Sequence, residues 1–164
     1  MGRKIGVFVI FCALVLAQLG CGGAESDPFA VFRGGFCADV TGELNGIAFS
    51  AMVEAEPSEG GEQAVTVTFY APSGLSGTVL RRDATGAVSL SAGKVRLESL
   101  ESTDFSAFFG LFPTSGEVTA VSLDEQGRTQ VIFAGGSLLL LPDGTPCTVS
   151  TAAGRVRLLQ FVAA

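Results

Sequence analysis

The chain is 164 residues long, 48% hydrophobic and carries a formal net charge of −6, which is one domain's length with enough apolar surface for a buried core. It contains no histidine, which removes Ser-His-Asp and Cys-His nucleophilic catalysis, His-ligated metals and the usual general base. An acidic chain without a Lys/Arg stripe cannot neutralise many phosphates, so no nucleic-acid partner is expected.

Residues 1 to 24 read as a targeting segment. Arg3 and Lys4 precede an uncharged run from Ile5 to Leu19, and the small residues Gly20, Cys21, Gly22, Gly23 and Ala24 follow. That is the order of charge, apolar core and small cleavage region found in signal peptides. The run is shorter than the ~20 residues that a membrane-crossing helix needs. Leu16-Ala17-Gln18-Leu19-Gly20-Cys21 resembles a bacterial lipobox, and the resemblance implies acylation of Cys21. On this reading residues 1–20 are a lipoprotein signal peptide, 21–35 hold the lipidated Cys and a short tether, and 36–164 form a single β domain in the cell envelope. The membrane is then reached through palmitate-class acyl chains. The competing reading is cleavage after Ala24, which would release the domain as a secreted protein.

The remaining chain has period-two patterning. Val65, Val67 and Phe69 alternate with Thr66, Thr68 and Tyr70, and similar segments recur between turn residues. Strands are predicted near 36–42, 46–54, 64–71, 76–82, 87–91, 94–99, 117–124, 128–134, 137–141, 146–151 and 155–162. Asn45-Gly46 is a hairpin signal. Asp83 to Gly86, Asp124 to Gly127 and Pro142 to Pro146 place Asp, Gly and Pro where turns need them. Glu56 to Gln63 reads as a solvated loop. Links this short make neighbouring strands antiparallel, so the expected fold is all-β: a half-open barrel or meander of about 10–11 strands.

One segment departs from that pattern. After Thr103-Asp104, Phe105, Phe108, Phe109 and Phe112 recur at helical spacing, and Pro113 follows. A short Phe-rich helix is predicted over 103–112. Asp27-Pro28 suits the start of a second helical turn carrying Phe29 and Phe32. The apolar helix face is either core packing or a lid over a ligand cavity. In the lid reading, Val65, Val67 and Phe69 line the cavity with Phe105, Phe108, Phe109 and Phe112.

Of four cysteines, Cys12 falls in the targeting segment and Cys21 is the lipidation candidate. Cys37 and Cys147 remain, and in an exported domain two leftover cysteines suggest a disulfide. They are too few for a structural zinc site, and no metal or cofactor is expected. The carboxylates Glu54, Glu56, Glu59 and Glu62 cluster in the solvated loop, while Asp83, Asp124 and Asp143 suit turns. None of these forms a fixed catalytic pair, and the domain reads as non-catalytic.

The strand order, the helix at 103–112 between two strand groups, the run Val121-Ser122-Leu123-Asp124-Glu125-Gln126-Gly127-Arg128-Thr129 and the terminal strand from Arg155 to Val162 together resemble the lipoprotein-carrier superfamily, the LolA-like fold. The resemblance implies a half-open antiparallel barrel with helical lids. Its relatives include lipid-anchored carriers of lipoproteins or lipoglycans. Two non-catalytic functions stay open, beside a third reading, a carboxylate-dependent hydrolase, which would need two fixed acids in a cleft. One is a membrane-anchored, extracytoplasmic lipoprotein that binds or carries a lipid, a lipoprotein tail or another apolar ligand. The alternative is a structural or interaction lipoprotein with a filled core, acting through another envelope protein.

Overall fold

The computed structural model describes residues 27–58, 62–100 and 102–164, the side chains of 102–104 excepted. The targeting segment and the lipidation candidate Cys21 lie outside the described residues.

A helical turn, α1 (Ala30–Arg33), leads into six strands: β1 (Phe36–Leu44), β2 (Ile47–Ala55), β3 (Val65–Ala71), β4 (Thr78–Arg82), β5 (Val88–Ala92) and β6 (Val95–Leu100). Helix α2 (Ser102–Phe109) follows. Five further strands complete the chain: β7 (Val118–Leu123), β8 (Thr129–Phe133), β9 (Gly136–Leu140), β10 (Pro146–Thr151) and β11 (Gly154–Ala163). All eleven belong to one antiparallel sheet in the order β6-β5-β4-β3-β2-β1-β11-β10-β9-β8-β7. The predicted half-open, all-β architecture is what forms.

The order follows from two meanders. β1 to β6 and β7 to β11 are each built from short links, which can only join antiparallel neighbours. The meanders meet where β1 pairs with β11, from Phe36↔Ala163 to Leu44↔Gly154. β6 and β7 are left as the two edges, and the segment carrying α2 crosses the opening between them. The turns use the expected residues. Asn45 and Gly46 both adopt positive φ, 50° and 81°. The Asp83 carboxylate accepts from the backbone N–H groups of Thr85 and Ala87, Asp124 from those of Gln126 and Arg128, and Asp143 from that of Thr145.

One face of the sheet is apolar across its width. Leu90, Leu80, Val67, Val53, Ala38 and Phe161 are successive cross-strand partners. A second row runs through Val121, Val131, Leu138, Val149, Val156, Gly42 and Phe49. Gly42 is required in this row. A Cβ there would lie 2.5 Å from the Arg155 carbonyl oxygen and 3.1 Å from the Phe49 ring.

The helical segments pack on this face, with one difference from expectation. α2 ends at Phe109, and 110–112 continue it as a tightened turn: Leu111 and Phe112 donate to the carbonyls three residues back, Phe108 and Phe109. Such bonds satisfy carbonyls that an α-helix end leaves over. The segment ahead of β1 is packed, with Phe29 and Phe32 both in the core. Asp27 starts this turn by accepting from the Phe29 N–H at 2.9 Å, and its other oxygen pairs with Arg33. Arg33 in turn donates to the Thr114 carbonyl at 2.8 Å, which ties the entry of the chain to the segment after α2.

Candidate functional site

The residues expected to line a ligand cavity under α2 do come together, but they fill the space themselves. Val65, Val67, Phe69, Phe108, Phe109 and Phe112 are all buried, and Phe105 is half-buried against them. The Phe108 ring lies 5.6 Å from Phe69, 5.3 Å from Phe49 and 5.9 Å from Phe112. The series continues from Phe112 to Phe36 at 5.8 Å and from Phe36 to Phe161 at 5.3 Å. Aromatic pairs at such spacings add to simple area burial. On this half of the sheet α2 therefore acts as packing for the core. Arg82 closes its outer side, stacking on the Phe109 ring at 4.5 Å, bonding the Gln63 carbonyl at 3.2 Å and pairing with Glu62.

Gln63 was not singled out by its sequence, where it ends a polar, Gly-rich loop. It is buried, and its Nε2 donates to the carbonyls of Phe32 (2.6 Å) and Glu56 (2.9 Å). It thereby fastens the β2–β3 loop to the chain entry. Its Oε1 has no hydrogen-bond partner among the described residues. Glutamine after a Gly-Gly-Glu run carries no local signal of burial, so only the packed structure reveals this role.

The open part of the apolar face lies on the other half. A cleft of about 770 Å³ runs between the chain entry and the sheet formed by β7, β8 and β9. Its apolar lining includes Phe29, Val118, Val121, Val131, Leu140 and Leu141, and Asp27 and Arg33 stand at its rim. Val121 is 62% exposed here, whereas its neighbour Val131 is buried. The reason lies in the helix distribution. α2 covers the β2–β3 side, while only the turn around Phe29 reaches the β7–β9 side. A more polar recess of about 750 Å³, bordered by Gln63, Arg82, Phe109, Phe112 and Phe133, lies beyond the 113–116 segment. Ser115 and Gly116 border both spaces.

The sequence-based pairing of Cys37 with Cys147 is corrected by the sheet order. Both are free thiols. β11 runs between their strands, and two strand spacings, ~9.6 Å, exceed the ~7 Å Cα separation that a disulfide tolerates. Cys37 is exposed, but partial desolvation by its surroundings raises its thiol pKa above the ordinary value, with Glu54 and Asp39 adding to the effect. Among the described residues no group of three His, Cys, Asp or Glu side chains is placed to hold a metal. Asp83, Asp124 and Asp143 are each held below the usual carboxylate range by hydrogen bonds: mainly the Thr85 hydroxyl, the Arg128 backbone N–H and the Thr145 backbone N–H respectively. These are turn acids, and their proton affinity is lowered.

No protein-family model matches the chain, and no curated protein matches it. Solved structures with a related shape exist. An uncharacterized conserved protein from Thermus thermophilus has a TM-score of 0.48 at 12% identity, covering 82% of each chain. A crystal structure of MucB has a TM-score of 0.45 at 14% identity, over 87% of this chain and 60% of that one. MucB in the Pseudomonas aeruginosa MucA/MucB complex has a TM-score of 0.41 at 14% identity, over 82% of this chain and 53% of that one. These are distant likenesses, and the chain spans little more than half the length of the MucB chains.

Proposed function

We propose that this chain is a non-catalytic, extracytoplasmic binding module, anchored through lipid on Cys21, which takes an apolar ligand in the cleft between the chain entry and β7–β9. The observation that carries the reading is the cleft itself. Its volume, about 770 Å³, falls within the ~300–1,000 Å³ of ordinary ligand sites, and Phe, Val and Leu side chains line it together with Pro28, Pro142, Ser115 and Thr129, with one ion pair at the rim. Such a lining suits an aliphatic chain with a polar end, the chemistry of a lipid or a lipoprotein tail. Export and anchoring rest on the order of residues 1–24. The site differs from the one the helix spacing suggested, since Phe69, Phe108 and Phe112 are committed to the core.

Native mass spectrometry of the exported protein, incubated with phospholipid vesicles and then freed of detergent, tests this. A lipid adduct that disappears in Val121→Asp, a variant altered at an exposed position, is the expected result. A clean apo mass under all conditions would overturn ligand binding and leave contact with another envelope protein as the working account. Radiolabelled palmitate incorporation, lost in Cys21→Ser, tests the anchor separately.

A further inference from the structure

Among the described residues, the two edge strands of the sheet are built differently. β6 carries the charged residues Arg96 and Glu98, whose side chains pair at 2.9 Å, and Lys94 stands just before it. Its pairing with β5 is irregular between Val88 and Leu90, and Ser99 has a positive φ of 56°. Charge and irregularity of this kind stop an edge from recruiting another strand. β7 reads Val-Thr-Ala-Val-Ser-Leu, with no charge and no proline. All six residues are exposed, Val121 by 62% and Leu123 by 73%. Its single irregularity lies between Val118 and Ala120, which leaves 120–123 as regular strand.

We infer that β7 is a docking edge for an extended segment of another protein, apolar on its inward face and basic at its ends. The Asp124 N–H bonds inward, to the Arg128 carbonyl. By the alternation of an antiparallel ladder, Val121 and Leu123 turn their backbone groups outward, where an added strand can pair with them. Val118 and Val121 also line the apolar cleft, so side chains on the inward face of an added strand would extend an existing apolar surface. Charge selects the occupant. Glu117 and Glu125 flank the strand and are exposed, while Asp124 is already paired with Arg128 at 2.7 Å. In an antiparallel self-pairing centred on Val121, Glu117 of one copy would face Glu125 of the other, a destabilising like-charge pair. A segment with Lys or Arg at its ends meets opposite charge at both. This goes beyond binding of an apolar ligand in the cleft and does not depend on it.

The probe is a labelled peptide, Lys-Val-Thr-Val-Thr-Val-Lys, titrated by fluorescence anisotropy into the full chain expressed with its own leader. Binding is expected, about tenfold tighter than for the same peptide with Glu at both ends, in keeping with opposite against like charge at two exposed contacts. It should weaken as salt is added. Leu123→Pro, which removes an outward N–H, should abolish binding with unchanged circular dichroism. Should that variant misfold, Val121→Lys, at an exposed position, should weaken binding of the basic peptide at least as strongly. Absence of binding, equal affinity for both peptides, or binding indifferent to both substitutions would each overturn the inference. A sedimenting dimer that excludes the peptide and is lost in Leu123→Pro would overturn it too, assigning the edge to a second copy of this chain.

Discussion

Phe29 and Phe133 meet edge to face, with ring centroids 5.3 Å apart and planes at 90°. This contact joins the chain entry to β8: Phe29 lines the apolar cleft, and Phe133 borders the more polar recess. Gly116 lies against it: a Cβ there would stand 3.1 Å from the Phe29 ring and 3.2 Å from the Phe133 ring. Phe29→Ala should therefore cost about 3–5 kcal/mol, the range for a buried Phe. Gly116→Val should destabilise by about 1–3 kcal/mol through overpacking. Urea denaturation of each variant measures both, and an unchanged midpoint for Phe29→Ala would show that the chain entry is not part of the cooperative unit.

Phe108 and Val121 belong to opposite halves of the apolar face. Phe108→Ala should lower stability by about 3–5 kcal/mol, because its ring touches those of Phe49, Phe69 and Phe112. Val121→Asp should change the unfolding midpoint little, since exposed positions usually move stability within about 0.5 kcal/mol, yet should remove an apolar ligand. A Phe108→Ala variant with full stability and lost ligand would reverse this assignment and restore α2 as a lid.

Gln63 should behave as a structural residue despite its polar loop. Gln63→Ala removes the donor shared by the Phe32 and Glu56 carbonyls, and buried acceptors without partners cost about 1–3 kcal/mol. Amide hydrogen exchange should quicken at Ser58, whose N–H is bonded to the Arg33 carbonyl. Unchanged exchange there would mean that the loop is fastened by other contacts.

Cys37 and Cys147 should both titrate as thiols in the unfolded, unreduced protein, and its electrophoretic mobility should not change on reduction. Thiol loss, with a mobility shift on reduction, would require a sheet order other than the one found. In the folded protein Cys37, although exposed, should react more slowly than free cysteine at neutral pH, because partial desolvation and the nearby Glu54 and Asp39 disfavour its thiolate. The rate should rise as the pH is raised.

Acid should loosen the chain entry. A hydrogen bond from the Arg33 side chain and, to a lesser extent, one from the Phe29 N–H hold the Asp27 carboxyl below its ordinary value of 3.8. A folded-state pKa below the unfolded one contributes stability above the unfolded pKa, and that contribution is lost as the pH falls through the folded value. The effect begins near pH 3.8 and grows below it, and the ion pair is half exposed, so the loss should be small. Asp27→Asn should flatten this part of the acid unfolding profile. An identical profile would sink the assignment.

The local features of this fold are written in short stretches of sequence. Alternation through 65–70 specifies a strand with one buried face, Asn45-Gly46 supplies two positive-φ residues, and Asp124 to Gly127 contains both the acceptor and the glycine that its turn needs. Each of these depends on residues within a few positions of one another, so period and turn chemistry are enough to find them. The pairing of β1 with β11, the separation of Cys37 from Cys147, the burial of Gln63 and the choice of which half of the apolar face α2 covers were decided only by the tertiary structure. The Phe residues of 105–112 have the same spacing whether they cap a cavity or fill a core. Their role is fixed by rings contributed from β1, β2 and β3, and such contacts between distant parts of the chain leave no periodic mark on the sequence.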